Sequence, residues 1–286
     1  MIWMDCACNW LKLANKPSAL AIVTTLFLFG AVGCSRPSTL FVGDRNVPVQ
    51  LEFSNENHHY ASYSPYNDDT TRVNVRFCQL KDTLRPSYRA INDSLLRTII
   101  SVVQSSSPLE EEEKKPTMDV KTAINGFIEA YKRSVSEGFP LAWDLYADCT
   151  FEGTWDSLIQ FSCNVESMTG GAHPYRWTNF HLYSLRSGKE IYPADYLRDT
   201  MELRNLLIQK VRIAFEATDK NLQEIGIYEE YAEGFPIAKN IAITSTGATI
   251  LYNNYEIAPY YLGPIVLQLT MEETRKYFDL RALNRH

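Results

Sequence analysis

Apolar and polar residues alternate most regularly over 141–151 and 159–166. In both segments every second side chain is apolar, as expected for a strand with one buried and one solvated face. Two such segments in succession predict an antiparallel hairpin. Shorter apolar segments bounded by turn residues predict further strands at 72–80, 176–185, 239–245, 248–252 and 265–269.

Apolar residues at helical spacing predict helices over 88–103, 118–137, 197–217 and from Thr270 to about Leu283. Thr117 is expected to cap the second helix, and Gly138 with Pro140 to end it. Thr270 and Glu273 have the spacing of a capping box. Because runs of strands are interspersed with helices, the pattern predicts an α+β fold, a mostly antiparallel sheet with packed helices.

The first part of the chain has the pattern of an export signal. Lys12 and Lys16 precede an uncharged segment, 19–33, whose last residues are small. This segment is shorter than the ~20 apolar residues of a spanning helix, and its pattern is typical of a secretory signal peptide. The Val-Gly-Cys sequence that ends at Cys34 resembles the lipobox of bacterial lipoproteins, in which the cysteine is acylated and becomes the N-terminus. We predict a lipoprotein signal peptide over 1–33 and lipid attachment at Cys34; an uncleaved membrane anchor is the alternative.

Four segments follow the predicted signal peptide. Residues 34–50 contain Pro and Gly with little periodicity and are expected to be a tether. Residues 51–104 are predicted to form a small strand-and-helix unit, and 105–117, with four consecutive glutamates, an acidic linker. The larger domain comprises 118–286. Since about 50 residues are too few for an independent core, we expect the small unit to pack on the larger domain.

The charge of the chain argues against nucleic acid as a ligand. The formal net charge is −6, and no stripe of Lys and Arg is present. Because phosphate binding depends on such clusters, the predicted partners are the bacterial membrane, through the lipid on Cys34, and a protein or peptidoglycan-type ligand. No acidic run follows Cys34, so the expected location is the cell envelope, with the lipoprotein facing the periplasm.

Three cysteines follow the predicted lipidation site: Cys78, Cys149 and Cys163. Cys149 and Cys163 fall on neighbouring predicted strands and would be disulfide partners in an oxidising compartment. Both also fall on apolar faces, where a reduced cysteine packs as a small hydrophobic residue. The sequence leaves both alternatives open.

Motifs of common catalytic and metal sites are not found in the sequence. The chain has no His-Glu-x-x-His, no Gly-x-Ser-x-Gly and no glycine-rich phosphate loop before a helix. His58 and His59 are adjacent, so on an extended chain they point to opposite faces. His173 and His181 lack the spacing of zinc ligands. We therefore expect no catalytic residue, no metal and no cofactor.

Two stretches contain residue combinations that are unusual for plain connections. The first, 169–175, reads Thr-Gly-Gly-Ala-His-Pro-Tyr, and the second, 253–264, reads Asn-Asn-Tyr-Glu-Ile-Ala-Pro-Tyr-Tyr-Leu-Gly-Pro. Together with the turn over 185–190, they resemble a family of extracytoplasmic bacterial domains. This family includes the extracellular domain of the lysozyme-sensing anti-sigma factor RsiV and the accessory domain of the peptidoglycan deacetylase PdaC. The resemblance covers about 118–283.

The resemblance implies an α+β fold and a non-catalytic role at the cell envelope; in RsiV the domain binds a protein ligand. Only 18 residues precede the apolar segment, too few for the cytoplasmic domain that an anti-sigma factor needs. The chain also carries no counterpart of the deacetylase's catalytic domain. The expected function is therefore that of a lipid-anchored, non-enzymatic binding module.

The predicted ligand surface combines the two unusual stretches and comprises His173, Tyr175, Pro259, Tyr260 and Tyr261. Pro259 restricts the backbone, which lowers the entropy lost on binding. Exposed aromatic side chains are frequent anchors in protein interfaces and also stack on sugar rings. A structural role is the competing interpretation, because Tyr255 and Ile257 alternate like core residues.

An envelope hydrolase acting on cell-wall polymer, with His173 and nearby acids as catalysts, is the alternative function. Asp144 and Asp148 share one face of a predicted strand. That face is the polar one and is expected to be solvated, which favours charged surface residues over a general acid and base. The non-enzymatic function is therefore preferred.

Overall fold

A six-stranded sheet lies at the centre of the computed structural model, which describes residues 38–41, 48–64, 69–107, 117–139, 141–231 and 234–285. The predicted signal peptide, Cys34 and most of the predicted acidic linker lie outside these ranges. Two smaller sheets, of two and three strands, complete the β-structure of the described residues. Six α-helices accompany the sheets in that part of the chain, so the fold is α+β, as predicted.

The strands in chain order are β1 (Ser38–Phe41), β2 (Pro48–Leu51), β3 (Phe53–Ser64), β4 (Asp69–Leu80), β5 (Asp144–Trp155), β6 (Leu158–Met168), β7 (Tyr175–Ser184), β8 (Glu190–Ile191), β9 (Ile241–Thr244), β10 (Gly247–Tyr252) and β11 (Ile265–Thr270). The α-helices are α1 (Pro86–Ser105), α2 (Val120–Ser136), α3 (Thr200–Ala214), α4 (Leu222–Ile225), α5 (Met271–Tyr277) and α6 (Leu280–Leu283). The central sheet has the order β3-β4-β5-β6-β7-β8, and the three-stranded sheet the order β11-β10-β9. β1 and β2 pair with each other.

One parallel strand pair connects the two predicted parts of the chain. β4 and β5 pair in parallel, with residues 72–77 opposite 144–149, whereas the other neighbours in the central sheet are antiparallel. A parallel pair requires a long crossover connection. Here the connection carries α1 and α2, which lie between the two strands in the sequence. The predicted small unit and the larger domain thus contribute strands to a single sheet.

Helices α1 and α2 pack on the apolar face of the central sheet. Their buried side chains meet alternate residues of β4, β5 and β6, and the ring of Phe127 lies edge-on to Trp143 with centroids 5.5 Å apart. The core on this face consists of Val73, Val75, Phe77, Ile99, Ile100, Val102, Val103, Val120, Ala123, Ile124, Phe127, Ile128, Ala130, Tyr131, Trp143, Leu145, Ala147, Cys149, Cys163 and Val165. This face is the one that the alternation predicts to be buried.

Helix α2 is capped by a different residue from the one predicted. The side chain of Asp119 accepts hydrogen bonds from the backbone N–H groups of Lys121 and Thr122, and this satisfies donors that a helix start leaves unpaired. The Thr117 hydroxyl instead accepts from the backbone N–H of Asp119. The prediction of Thr117 as the cap was therefore wrong by two residues. Hydrogen bonds from Thr122 hold the pKa of the Asp119 carboxyl below its usual range.

Cys149 and Cys163 form a disulfide between adjacent strands. They lie opposite each other in the β5–β6 pairing, with their Cα atoms 4.0 Å apart, and both are buried. The sequence leaves open whether these cysteines are reduced or form a disulfide, and the structure contains the disulfide. Cys78 is a buried thiol.

The three-stranded sheet forms a second core with α3 and α5. Leu158 and Leu182 of the central sheet contribute to this core, so the second sheet covers part of the face opposite α1 and α2. Thr270 and Glu273 form the predicted capping box at the start of α5. Of the described helices, none combines the length and apolar composition needed to cross a bilayer.

The last predicted helix is two helices in the structure. α5 ends at Tyr277 and α6 begins at Leu280, because Phe278 is extended and pairs with Leu197 across an isolated β-bridge. The backbone N–H of Arg198 donates to the Tyr277 carbonyl oxygen at 2.9 Å, which fixes the same connection. A tertiary contact therefore interrupts a periodic pattern that continues in the sequence.

Thiol counting tests the disulfide. A soluble form that begins at Ser35 contains only Cys78, Cys149 and Cys163. After unfolding without reductant it should expose one reactive thiol, and after reduction three. Because the bond closes a loop of about 15 residues, reduction should lower the free energy of unfolding by about 3 kcal/mol. Three thiols in the unreduced protein, purified from an oxidising compartment, would contradict the bond.

Candidate functional site

The two unusual stretches of the sequence meet at one surface of the molecule. The imidazole of His173 stacks on the ring of Tyr260, with centroids 3.8 Å apart and an interplanar angle of 15°. The hydroxyl of Tyr255 lies 2.9 Å from Nε2 of His173, and the Tyr255 and Tyr260 rings are 5.8 Å apart. We call His173, Tyr255 and Tyr260 the aromatic cluster. Since His173 and Tyr255 are exposed, one side of the cluster faces solvent.

The first stretch is fixed to the second by a further hydrogen bond. The hydroxyl of Tyr260 donates to the backbone oxygen of Pro174 at 3.1 Å. Pro174 also restricts the preceding residue, His173, to extended conformations. The stacking and the hydrogen bond therefore hold the histidine in one orientation beside the start of β7.

The second stretch begins with a buried asparagine that binds the edge of β7. The side-chain oxygen of Asn253 accepts from the backbone N–H of Thr178 at 2.8 Å, and its side-chain nitrogen donates to the Thr178 carbonyl oxygen at 3.1 Å. Asn253 is only 7% exposed. An amide group placed in this way replaces the hydrogen bonds that a neighbouring strand would make. The loop therefore leaves β10 from a fixed point.

A second asparagine binds the same strand edge. The side-chain oxygen of Asn240 accepts from the backbone N–H of Phe180 at 2.8 Å, and its nitrogen donates to the Thr178 carbonyl oxygen at 2.6 Å. β8 pairs with β7 only at Leu182 and Tyr183, so the two asparagines act where that short strand does not reach. Together they attach the three-stranded sheet to the edge of the central sheet.

Tyr255 projects outward because the backbone turns sharply around it. The backbone N–H of Glu256 donates to the Asn253 carbonyl oxygen, and Tyr255 between them has φ of +67°. A non-glycine residue in this region costs about 1–3 kcal/mol, which the surrounding contacts must offset. Ile257 and Ala258, which follow, are buried in the second core. The turn thus places the tyrosine on the surface between two anchored positions.

The sequence pattern indicates that Tyr255 and Ile257 are both core residues, and this is correct only for Ile257. Ile257 is 2% exposed, whereas Tyr255 is 48% exposed and bonds to His173. The positive φ at Tyr255 interrupts the alternation of an extended chain, so the two side chains do not share an environment. Tyr255 therefore belongs to the surface site, from which the sequence interpretation had left it out.

The structure brings together some of the predicted ligand residues and separates others. Tyr260 lies against His173, and Pro259 precedes the short 3₁₀ segment Tyr260–Leu262. Tyr261 is 76% exposed, and its hydroxyl lies instead beside Gly226, the residue that ends α4. Tyr175 is exposed at the first position of β7. Tyr175 and Tyr261 therefore neighbour the residues of the aromatic cluster in the sequence, and the ring contacts of the cluster do not include them.

The turn over 185–190 lies far from the aromatic cluster, against the start of α1. Gly188 has φ of +73°, and a Cβ atom there would lie 2.5 Å from the Ser87 backbone oxygen. The Ser87 hydroxyl donates to the Leu185 backbone oxygen at 2.8 Å. The glycine is therefore required by close packing, and the turn has a structural role.

The other three histidines of the described residues make local contacts. His58 and His59 lie on opposite faces of β3, as expected; the first stacks on Phe77 and the second lies 2.6 Å from Asn74 Oδ1. His181 Nδ1 lies 2.7 Å from Glu190 Oε1, a pairing between β7 and β8. Among the described residues, no group of three or more His, Cys, Asp or Glu side chains is placed to hold a metal ion.

Asp144 and Asp148 share a strand face, as predicted, but Asp148 is not solvated. Asp148 is 6% exposed and receives two hydrogen bonds from the Arg76 guanidinium, at 2.9 and 2.6 Å. Asp144 lies 3.7 Å from an Arg72 nitrogen. Each carboxylate is therefore paired with an arginine of β4, the strand that lies parallel to β5. This charge pairing could not be predicted without knowledge that the two strands are neighbours.

Comparisons with known proteins relate part of the sequence and the fold to one family of unknown function. Residues 198–272 match a family model described as a protein of unknown function, DUF3298. The matched segment runs from the start of α3 into α5 and includes the second stretch of the site. No curated protein shows significant sequence similarity to the chain.

Two crystal structures of DUF3298 proteins have a similar fold. The first, from Bacteroides fragilis, has a TM-score of 0.62 at 17% identity, and the alignment covers 82% of this chain and 97% of the other. The second, from Pseudomonas aeruginosa, has a TM-score of 0.52 at 18% identity, with 80% and 95% covered. At such low identity the similarity shows only that the folds are alike. The likeness extends over most of both chains.

Substitution of Asn253 tests the attachment of the site to the central sheet. Asn253→Ala should lower the free energy of unfolding by about 1–3 kcal/mol, because it leaves the partly buried Thr178 N–H group unpaired and the Thr178 C=O group with only the Asn240 donor. Asn253→Asp, which keeps the acceptor and loses the donor, gives an independent measure of the two hydrogen bonds. Denaturant unfolding provides the measurement.

Asn205→Ala is the matched control, since Asn205 is exposed on α3. It should leave stability unchanged or raise it slightly through helix propensity. Equal stability of the Asn253→Ala variant and the wild type would show that these hydrogen bonds do not hold the loop.

Proposed function

We propose that this protein is a lipid-anchored, non-enzymatic module of the bacterial cell envelope that binds a protein or a cell-wall glycan through the aromatic cluster. The observation that supports this most directly is the exposed stack of His173 on Tyr260, with Tyr255 bonded to the histidine. Tyr175 and Tyr261, which follow Pro174 and Tyr260 in the sequence, are also exposed. Such a concentration of exposed rings is typical of an interaction surface.

The rigidity of the cluster favours binding. An aromatic side chain offers a large contact area at a small cost in conformational entropy. Here the rings are already ordered by their stacking, by the Tyr260–Pro174 hydrogen bond and by the attachment of Asn253 to β7. A ligand therefore meets a preorganised surface, and less entropy is lost when it binds.

Two features support a location in the envelope. The sequence pattern of 1–33 and Cys34 is that of a lipoprotein signal, and the disulfide between Cys149 and Cys163 is typical of proteins in oxidising compartments. The lipid would keep the domain at the periplasmic side of a membrane. In this position it can meet both envelope proteins and peptidoglycan.

The hydrolase alternative has less support from the site. A histidine that acts as a general base is usually oriented by an acid and lies within reach of a nucleophile or substrate. His173 Nε2 bonds to a tyrosine hydroxyl, and the imidazole is covered on one face by Tyr260. This arrangement suits contact with a ligand better than proton transfer.

Ligand capture tests the surface. The soluble form that begins at Ser35 is used to recover ligands from envelope extract and from solubilised peptidoglycan. Tyr260→Ala and Tyr261→Ala should each lower recovery of the ligand at least about tenfold, because truncation of an aromatic hot-spot anchor typically costs ~2 kcal/mol or more of binding free energy, and ~1.4 kcal/mol is a factor of ten. Tyr260→Phe, which keeps the stack on His173, should retain most of the binding.

Tyr192→Ala is the matched control, because Tyr192 is also exposed but follows β8, near the other end of β7. It should bind normally. Each variant is checked by thermal unfolding. Normal binding by both alanine variants at Tyr260 and Tyr261, or a loss of binding explained by unfolding, would exclude this surface as the ligand site.

Lipidation at Cys34 has a separate test. Mass spectrometry of the mature protein from membranes should find an acylated N-terminal cysteine at position 34. Cys34→Ser should accumulate the unprocessed chain or release the protein from the membrane, because stable anchoring requires more than one acyl chain. A mature N-terminus at any other residue would contradict the prediction.

A further inference from the structure

The open half of the central sheet carries two rows of polar side chains. The strand registers place Asn57, Arg76, Asp148, Asn164 and Thr178 opposite one another across β3 to β7. They align a second row of His59, Asn74, Tyr146, Glu166 and Arg176 in the same way. Both rows face away from α1 and α2, because the alternate positions of these strands are buried against those helices.

The chemistry of these rows differs from that of an ordinary solvated sheet face. All side chains except Thr178 end in a planar amide, guanidinium, carboxylate, imidazole or phenol group, and neither row contains a lysine. Planar groups with two polar atoms can bond to two adjacent hydroxyl groups of one ligand, in the way that an arginine binds a carboxylate. An exposed phenol ring, that of Tyr146, lies in the middle of the second row and is 43% exposed. Planar polar groups around an aromatic ring suit a polyhydroxylated ligand.

The charges of the rows are paired within the sheet. Arg76 binds Asp148 through two hydrogen bonds, and Arg176 binds Glu166 through two more, at 3.0 and 3.1 Å. Each row therefore contains one positive and one negative group that neutralise each other. A surface of this kind has no net attraction for a polyanion or a polycation, and it is complementary to an uncharged ligand.

The side chains are also held in place before any ligand arrives. Tyr146 donates to Asp148 at 3.2 Å, Thr178 donates to Asn164 at 2.8 Å, and His59 lies 2.6 Å from Asn74. Side chains fixed by their neighbours lose little entropy on binding. Across five strands, at about 4.8 Å per strand, the rows extend over roughly 19 Å, a length that several linked sugar rings could occupy.

From this arrangement we infer a second binding surface, in which the two polar rows bind an uncharged stretch of glycan lying across strands β3 to β7. The aromatic ring of Tyr146 and the planar amides of Asn74 and Asn164 provide the central contacts. The surface is separate from the aromatic cluster and requires neither the lipid anchor nor that cluster. It borders the cluster at β7, where Thr178 ends one row and also bonds to Asn253.

Titration with a defined oligosaccharide tests the inference. The probes are the hexamer of β-1,4-linked N-acetylglucosamine and soluble peptidoglycan fragments, added to the soluble form that begins at Ser35 in a calorimeter. At least one probe should bind, and the affinity should change less than threefold between low and physiological salt, because the contacts are to neutral groups. Tyr146→Ala and the double variant Asn74→Ala/Asn164→Ala should each weaken binding at least tenfold.

Two controls separate this surface from the aromatic cluster and from unfolding. Asn205→Ala and Tyr192→Ala, which change exposed residues outside both surfaces, should bind the oligosaccharide like the wild type, and all variants should keep the wild-type unfolding midpoint within a few degrees. If the wild type binds neither probe, the inference is wrong. The separate proposal of a protein ligand at the aromatic cluster would be unaffected by that result. Normal binding by the row variants, loss of glycan binding only in Tyr261→Ala, or a steep dependence on salt would also overturn it.

Discussion

The binding of two asparagine side chains to the edge of β7 is the interaction on which the rest of the structure depends. Asn240 and Asn253 together satisfy the Thr178 N–H and C=O groups and the Phe180 N–H group. Without them this edge would present unpaired backbone groups at the junction between the two sheets, at a cost of about 1–3 kcal/mol for each buried group. The same contacts set the starting point of the loop that carries Tyr255 and Tyr260. These hydrogen bonds thus act with the second core to hold the two sheets together, and they set the start of the loop that carries the aromatic cluster.

The elements that alternation could predict are those with one apolar face. β5 and β6 fall close to the predicted segments because Leu145, Ala147 and Val165 are buried against helices while their neighbours are polar. β3 was not predicted, since Phe53–Ser64 carries polar residues at most positions of both faces and lies at the edge of the sheet. The parallel pairing of β4 with β5 could not be predicted either, because it joins segments about 70 residues apart and leaves no periodic signal. Local periodicity reports burial, whereas strand order depends on contacts between distant residues.

For the surface site, sequence reasoning found the two stretches and missed how they fit together. The combination of Gly-Gly-Ala-His-Pro with Tyr-Glu-Ile-Ala-Pro-Tyr pointed to the correct loops. It did not predict that Tyr255 would join His173, because that contact depends on a positive φ at a tyrosine, which no residue preference favours. It placed Tyr261 with Tyr260, whereas the 3₁₀ turn after Pro259 sends the two rings in different directions. Backbone turns of this kind are set by the contacts of the residues on either side. In this loop Asn253 makes the contact before the turn, and Ile257 is buried after it.

The two proposed surfaces meet at one residue, Thr178. Thr178 donates its hydroxyl to Asn164 in the polar row, while its backbone N–H and C=O groups bind Asn253. Thr178 therefore belongs to both surfaces, and a change that displaced its backbone would alter the attachment of the loop as well as the end of the row. The physical link is short, since a single residue of β7 connects the proposed glycan surface with the loop that carries the aromatic cluster.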